Sequence, residues 1–229
     1  MLSILTASYK YFIIISSLIV IHELGHFLTA KVLNLEIDKI YIYPLGGISR
    51  INMPLNISIY KELLVLIMGP LFQFLSYYIL LFIFDDYELI TRYHLGILLF
   101  NMLPIYPLDG GKLLNIILTC FVKYKVSYKL IIYISYSVNI MLLFFNNKIS
   151  INMILIYILL IIIIRKEQLK EKTIYNKFLL ERYLNEYKYK KNKIVKNVNS
   201  FYRTKNNIVY DGKHYYDEKE ILRKKYHNF

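Results

Sequence analysis

Apolar residues gather into five runs, at about Leu5 to Ala30, Leu63 to Phe84, Leu95 to Val122, Leu130 to Phe145 and Ile149 to Ile164. Several approach the roughly 20 residues that a helix needs to cross a bilayer. The pattern predicts an all-α polytopic membrane protein with about five transmembrane helices. The last two runs are short for tilted helices and predict a tight hairpin turned at Asn146, Asn147 and Lys148. Between the first two runs, Ile37 to Ile57 alternates apolar and polar residues around Gly46 and Gly47. A period of two predicts a short hairpin there.

Composition agrees, with 56% of the 229 residues hydrophobic and 20% charged, more apolar and less charged than ordinary soluble domains. The single cysteine, Cys120, allows no intrachain disulfide and no multi-cysteine metal site, and it reads as packing. No cleavable leader is expected, because the apolar run after Lys10 continues into polar residues too specific to be discarded.

Charge orients the bundle, since cytoplasmic loops collect Lys and Arg. Lys31, Lys39, Arg50 and Lys61 follow the first run and Lys123, Lys125 and Lys129 the third, which places those loops in the cytoplasm. Asp85, Asp86 and Glu88 against Arg92, and later Lys148 alone, mark outward loops. Five spans then put the N-terminus outside and the C-terminus in the cytoplasm.

From Arg165 onward the composition changes: 18 Lys or Arg against 8 Asp or Glu carry +10 of the total +13. Residues 1–164 are therefore expected to form a membrane domain and residues 165–229 a basic cytoplasmic tail. Lys166 to Tyr189 reads as helix; Ile208 to Phe229 reads as a strand, a turn at Asp211-Gly212 and a helix from Asp217. Contact with anionic lipid or protein suits this tail better than nucleic acid, because its charge is mixed and it adjoins the last span. Tyr9, Tyr11, Tyr41, Tyr43, Tyr124 and Tyr128 lie near run ends and read as interfacial anchors.

Within the first run stands His22-Glu23-Leu-Gly-His26. Positions i and i+4 share a helix face, so both imidazoles can point at one metal ion, with Glu23 beside it as general base. Zinc would bring the pKa of its water down to about 7, within reach of a carboxylate base. The bland alternative is that the three groups satisfy one another in the bundle. Ionisable groups at membrane depth are costly unless they coordinate or pair, which makes them functional candidates. The remaining histidines, His94, His214 and His227, lie away from the motif and read as surface residues.

Two histidines fall one short of the usual three protein ligands of catalytic zinc. The remaining acid in an apolar run is Asp109, in Asn101-Met-Leu-Pro104-Ile-Tyr-Pro107-Leu-Asp109-Gly110-Gly111-Lys112. Taken alone, these residues read as a turn in which Asp109 caps a helix resuming at Lys112. Prolines and glycines breaking a span also mark a cavity lining, and beside His22 and His26 Asp109 reads as a ligand.

H-E-L-G-H in one span followed by N-x-x-P-x-x-P-L-D-G-G in a later one resembles the site-2 protease family of intramembrane zinc metalloproteases, peptidase family M50. Within it, the likeness is to the stage IV sporulation FB-type proteases. It extends through Tyr43 to Gly47, Met68-Gly69-Pro70-Leu71 and Phe178 to Tyr183. The resemblance implies a Zn2+ cofactor held by His22, His26 and Asp109, with Glu23 as base and Asn101 orienting substrate or stabilising an oxyanion. It implies close helix approach at Gly69 and Pro70, and a membrane-associated hairpin loop beside the active site that holds an extended substrate by strand addition.

Two departures accompany it. Only 21 residues precede His22, so the family branch's additional leading helix is expected to be missing. The tail matches the start of a regulatory domain of cystathionine-beta-synthase type and a shortened remnant at Arg203 to Tyr226. The function implied is a metalloendopeptidase of a bacterial cell membrane that cuts a membrane-associated protein, a sigma-factor precursor in sporulation, under regulatory membrane proteins. A catalytically inactive scaffold of the same fold is the alternative, and such scaffolds usually lose a ligand or the base. A membrane diiron oxygenase needs many more histidines than these five.

Overall fold

The computed structural model describes residues 2–35, 37–43, 46–51, 53–145 and 150–227. The chain forms two compact units, one of residues 1–53 and 57–102, the other of residues 54–56 and 103–229.

The first unit opens with α1 (Leu2–Val32), an uninterrupted apolar helix. Asn34 ends it by taking φ of 55°, while the Leu35 N–H donates to the Ala30 carbonyl at 3.0 Å, a left-handed stop that asparagine tolerates better than most residues. β1 (Ile37–Tyr43) and β2 (Gly46–Ile51) then pair antiparallel from Tyr43 opposite Gly46 back to Ile37 opposite Ile51. This is the expected hairpin. The two residues between its strands, Pro44 and Leu45, lie outside the described residues. β2 runs beside α1.

α2 (Ile59–Ile83) packs extensively along α1, and α3 (Tyr87–Asn101) closes against both. Ile14, Leu18, Leu80 and Ile90 bury together at their common contact.

The run from Leu95 to Val122 is not one span. It divides into α3 and, in the second unit, α4 (Asp109–Phe121). Pro104 and Pro107 are the reason, since each lacks an N–H and restricts the residue before it. Local bonds take over, with Ile105 N–H donating to Leu103 and Leu108 N–H to Ile105, at 2.7 and 2.8 Å.

α5 (Tyr124–Phe145) begins six residues before the expected span, so Lys125 and Lys129 lie on a helix and not in a loop. The expected turn at Asn146, Asn147 and Lys148 falls outside the described residues. α6 (Ile151–Leu169), capped by the Ser150 hydroxyl accepting from Met153 N–H at 3.3 Å, continues past the change of composition at Arg165.

Among the described residues, three helices are long and apolar enough to cross a membrane: Tyr11–Val32, Ile59–Ile83 and Tyr124–Phe144. Their surfaces are inverted relative to a soluble protein. Phe82 and Phe144 are 92% and 83% exposed, whereas Gln73, Ser76, Ser127, Ser135 and Asn139 are buried. Water would penalise so large an apolar surface; lipid favours it. Tyr124 and Tyr128 are buried in the second unit and are core residues, not interfacial anchors.

The tail folds within the second unit. α7 (Glu171–Leu184) is followed by β3 (Asn192–Val195) parallel to β4 (Asn206–Tyr210), β5 (Tyr215–Tyr216) antiparallel to β4, and α8 (Glu218–His227). The turn after β4 places Gly212 at φ of 100°, a backbone state that glycine enters without steric cost. Phe178, Leu179, Val195, Phe201, Val209 and Leu222 bury together with Tyr124 and Tyr175. Burial pushes the Tyr175 phenol well above its usual range, and its O–H donates to the Val198 carbonyl at 2.5 Å.

Arg182 ties this core down. Its buried guanidinium meets both Glu218 oxygens and donates to the carbonyls of Arg203 and Lys205 at 3.0 and 2.8 Å and to Asn56 Oδ1 at 3.2 Å. Asn56 Nδ2 donates in turn to the Phe178 carbonyl at 3.0 Å and Glu181 at 3.2 Å. Arg182→Met strands the Glu218 carboxylate and several carbonyls, and breaking a buried pair on one side costs about 3–5 kcal/mol. Hydrogen exchange of the full-length protein in detergent should show protection lost across β3 and β4. Unchanged protection there would mean that the apolar core alone holds the tail.

Candidate metal centre

His22 and His26 lie one helical turn apart on α1 and both are buried, at 2% and 5% exposure. Their rings meet edge to face, with Nε2 atoms 3.2 Å apart. The other nitrogen of each ring is held by α2. His26 Nδ1 lies 2.8 Å from the Val65 carbonyl. A carbonyl only accepts, so Nδ1 carries a proton and Nε2 is the nitrogen left for a metal.

His22 Nδ1 lies 2.9 Å from Gln73 Oε1, and Gln73 Nε2 lies 3.0 Å from the His94 carbonyl and 3.4 Å from His94 Nδ1. His94 is thus not a surface residue. It is buried and stacks on Tyr77 with ring centroids 4.5 Å apart. Nothing in the spacing of the histidines linked it to the motif; burial of a lone Gln in an apolar run was the available signal.

The close packing of α1 on α2 makes these contacts reachable. A Cβ on Gly25 would run into the Met68 carbonyl, and one on Gly69 would fall on the His26 imidazole. Gly69 thus has the close-approach role expected of it, and Gly25 shares it. Small residues at crossings let membrane helices approach to backbone contact.

Glu23 follows His22 on α1 and is half-buried; Asn101, also half-buried, is the last residue of α3. Asp109 belongs to the second unit. It is buried as the first residue of α4, so the helix starts three residues before Lys112. The Lys112 ammonium donates to its Oδ1 at 3.1 Å. A Cβ on Gly111 would strike the Ile105 carbonyl, so the chain before α4 folds tightly onto the helix start.

The donor chemistry fits zinc. Two nitrogens bound at about 2.0–2.1 Å around a tetrahedral ion stand roughly 3.3–3.4 Å apart, close to the 3.2 Å between these Nε2 atoms. Each ring is also oriented through its second nitrogen, as metal-ligating histidines almost always are.

The sequence pattern of peptidase family M50 matches residues 10–92. Stage IV sporulation protein FB of Bacillus subtilis (strain 168) is 30% identical over 192 residues, covering 80% of this chain and 67% of that protein. The chain belongs to peptidase family M50, the site-2 proteases. A second M50 relative, a zinc metalloprotease of Methanocaldococcus jannaschii, is 33% identical over 167 residues, 69% of this chain and 48% of that protein. Among solved structures, the site-2 protease from Methanocaldococcus jannaschii superposes with a TM-score of 0.54 at 30% identity, covering 68% of this chain and 76% of that one. A membrane metalloprotease of the M50 family accounts for the apolar helices, and zinc is the metal its relatives imply.

Proposed function

We propose that this chain is an intramembrane zinc endopeptidase in which His22, His26 and Asp109 hold the metal, Glu23 is the general base and Asn101 assists at the carbonyl. The observation that carries the reading is the pair of buried imidazoles, each with Nδ1 occupied by α2 and the Nε2 atoms 3.2 Å apart. Zinc supplies Lewis acidity, which lowers the pKa of water to about 7 and polarises a carbonyl.

The chain's own groups do the rest. Nε2 of His22 and of His26 each present a lone pair, and the Asp109 carboxylate adds a negative oxygen. The Glu23 carboxylate removes a proton from the attacking water and passes it to the amide nitrogen that leaves. The Asn101 side-chain amide donates to the oxyanion that forms at the scissile carbonyl. The hairpin of β1 and β2 suits an extended substrate, since a free strand edge can pair with an unwound segment.

The substrate is a membrane-associated protein, and the likeness to stage IV sporulation protein FB supports a sigma-factor precursor acting with regulatory membrane proteins. A multi-span fold in a bacterial cell membrane, with residues 1–164 catalytic and the basic residues 165–229 a cytoplasmic regulatory tail, completes the reading. The buried core around Phe178 and Phe201 supports a folded tail.

Metal analysis of detergent-purified protein tests the centre. Wild type should carry about one zinc per chain, as a single catalytic site requires. Asp109→Ala should lose zinc and cleavage together. Full zinc occupancy without Asp109 would remove it from the ligand set. Accumulation of uncut precursor in cells carrying the inactive protein would support the sigma-factor substrate; normal processing would rule it out.

A further inference from the structure

We propose that Gln73 is a positioning residue of the metal centre, whose side-chain carbonyl sets the tautomer of His22 and presents its Nε2 lone pair to the ion. The proposal rests on His22 being a zinc ligand. It adds a residue on a second helix, outside the motif, without which that ligand is misaligned.

The argument starts at a backbone atom. The His94 carbonyl can only accept, and Gln73 Nε2 lies 3.0 Å from it. Turning the amide over would set Oε1 against that carbonyl, acceptor to acceptor, in a side chain with 0% exposure, a burial without water to relieve it. The amide nitrogen therefore faces His94 and Oε1 faces His22 Nδ1 at 2.9 Å. Since Oε1 can only accept, Nδ1 of His22 bears a proton, and Nε2 is the ring nitrogen left for the ion. The second Gln73 amide proton points to His94 Nδ1 at 3.4 Å.

The two ligands are oriented by unlike means. His26 leans on a main-chain carbonyl, that of Val65, which no side-chain substitution removes. His22 depends on a side chain, and the tautomer it adopts is open to mutation.

The test compares Gln73→Leu and Gln73→Glu with wild type, as full-length protein in detergent, by zinc competition against a chelator and by 15N NMR of histidine-labelled, zinc-loaded protein. Loss of a partner that orients a metal ligand typically weakens metal 10–100-fold, and Gln73→Leu should fall in that range. Gln73→Glu should bind nearly as wild type, because a carboxyl oxygen still accepts from His22 Nδ1, the contact that orients the ligand. In wild type both His22 and His26 should show the Nδ1–H signature. In Gln73→Leu only His22 should change.

An Nε2–H signature for His22 in wild type would overturn the proposal, whatever the variants do. So would wild-type zinc affinity in Gln73→Leu, or equal losses in Leu and Glu variants, which would mark Gln73 as packing alone. Those results leave the zinc centre standing. Wild-type protein that binds no zinc would instead bring down the centre itself.

Discussion

Glu23→Gln is expected to abolish peptide cleavage while leaving zinc in place. The amide is the same size as the carboxylate but cannot take a proton from water, and a positioned general base contributes about 10²–10⁴-fold to turnover. The metal should stay because the substitution touches neither of the contacts that orient the imidazoles, His26 to Val65 and His22 to Gln73. Single-turnover cleavage of a membrane-embedded reporter, with metal content measured on the same sample, separates the two effects. Activity within tenfold of wild type would assign the base elsewhere. Zinc lost together with activity would make Glu23 a structural member of the site.

Gly69→Ala is expected to empty the centre from the opposite helix. A Cβ at this position meets all of Nε2, Cε1 and Cδ2 of His26. The ring cannot retreat without giving up Val65, the contact that sets its tautomer. Overpacking costs about 1–3 kcal/mol, and a collision with an anchored ring belongs at the upper end. If that cost falls on the metal-bound geometry, zinc weakens roughly 100-fold, at about 1.4 kcal/mol per factor of ten, and cleavage falls with it. Gly96→Ala provides the contrast, because a Cβ there has nothing within 4 Å; it should leave zinc and activity unchanged. Equal zinc affinity in Gly69→Ala and wild type would show that the two helices can part at no cost.

The membrane character, the hairpin at 37–51 and the histidine pair were legible because each rests on a short-range period: long apolar runs, alternation, and a four-residue step. The helix break before Asp109 was legible in kind but not in place. Two prolines announce an interruption, yet where the helix resumes depends on how tightly 105–106 folds against Gly111. The parallel pairing of β3 with β4 and the Arg182 network join positions far apart in sequence, and no local pattern specifies such partners.

Gln73 and His94 were missed for a related reason. One polar residue in an apolar run has no period of its own. It does stand four residues after Gly69, so the two share a face, as His22 and His26 do. Matching one face to the other would have paired Gln73 with the motif.

Both histidines, together with Val65, Gln73 and His94, lie before residue 102. The contacts that orient the imidazoles through Nδ1 do not involve Asp109. On the proposed ligand set, two of the three donors belong to one unit of the chain and the third to the other. Imidazole nitrogens alone do not single out zinc, whereas a hard carboxylate oxygen in the set disfavours soft ions such as Cu(I). On that ligand set, metal selection falls to the residue that the second unit supplies.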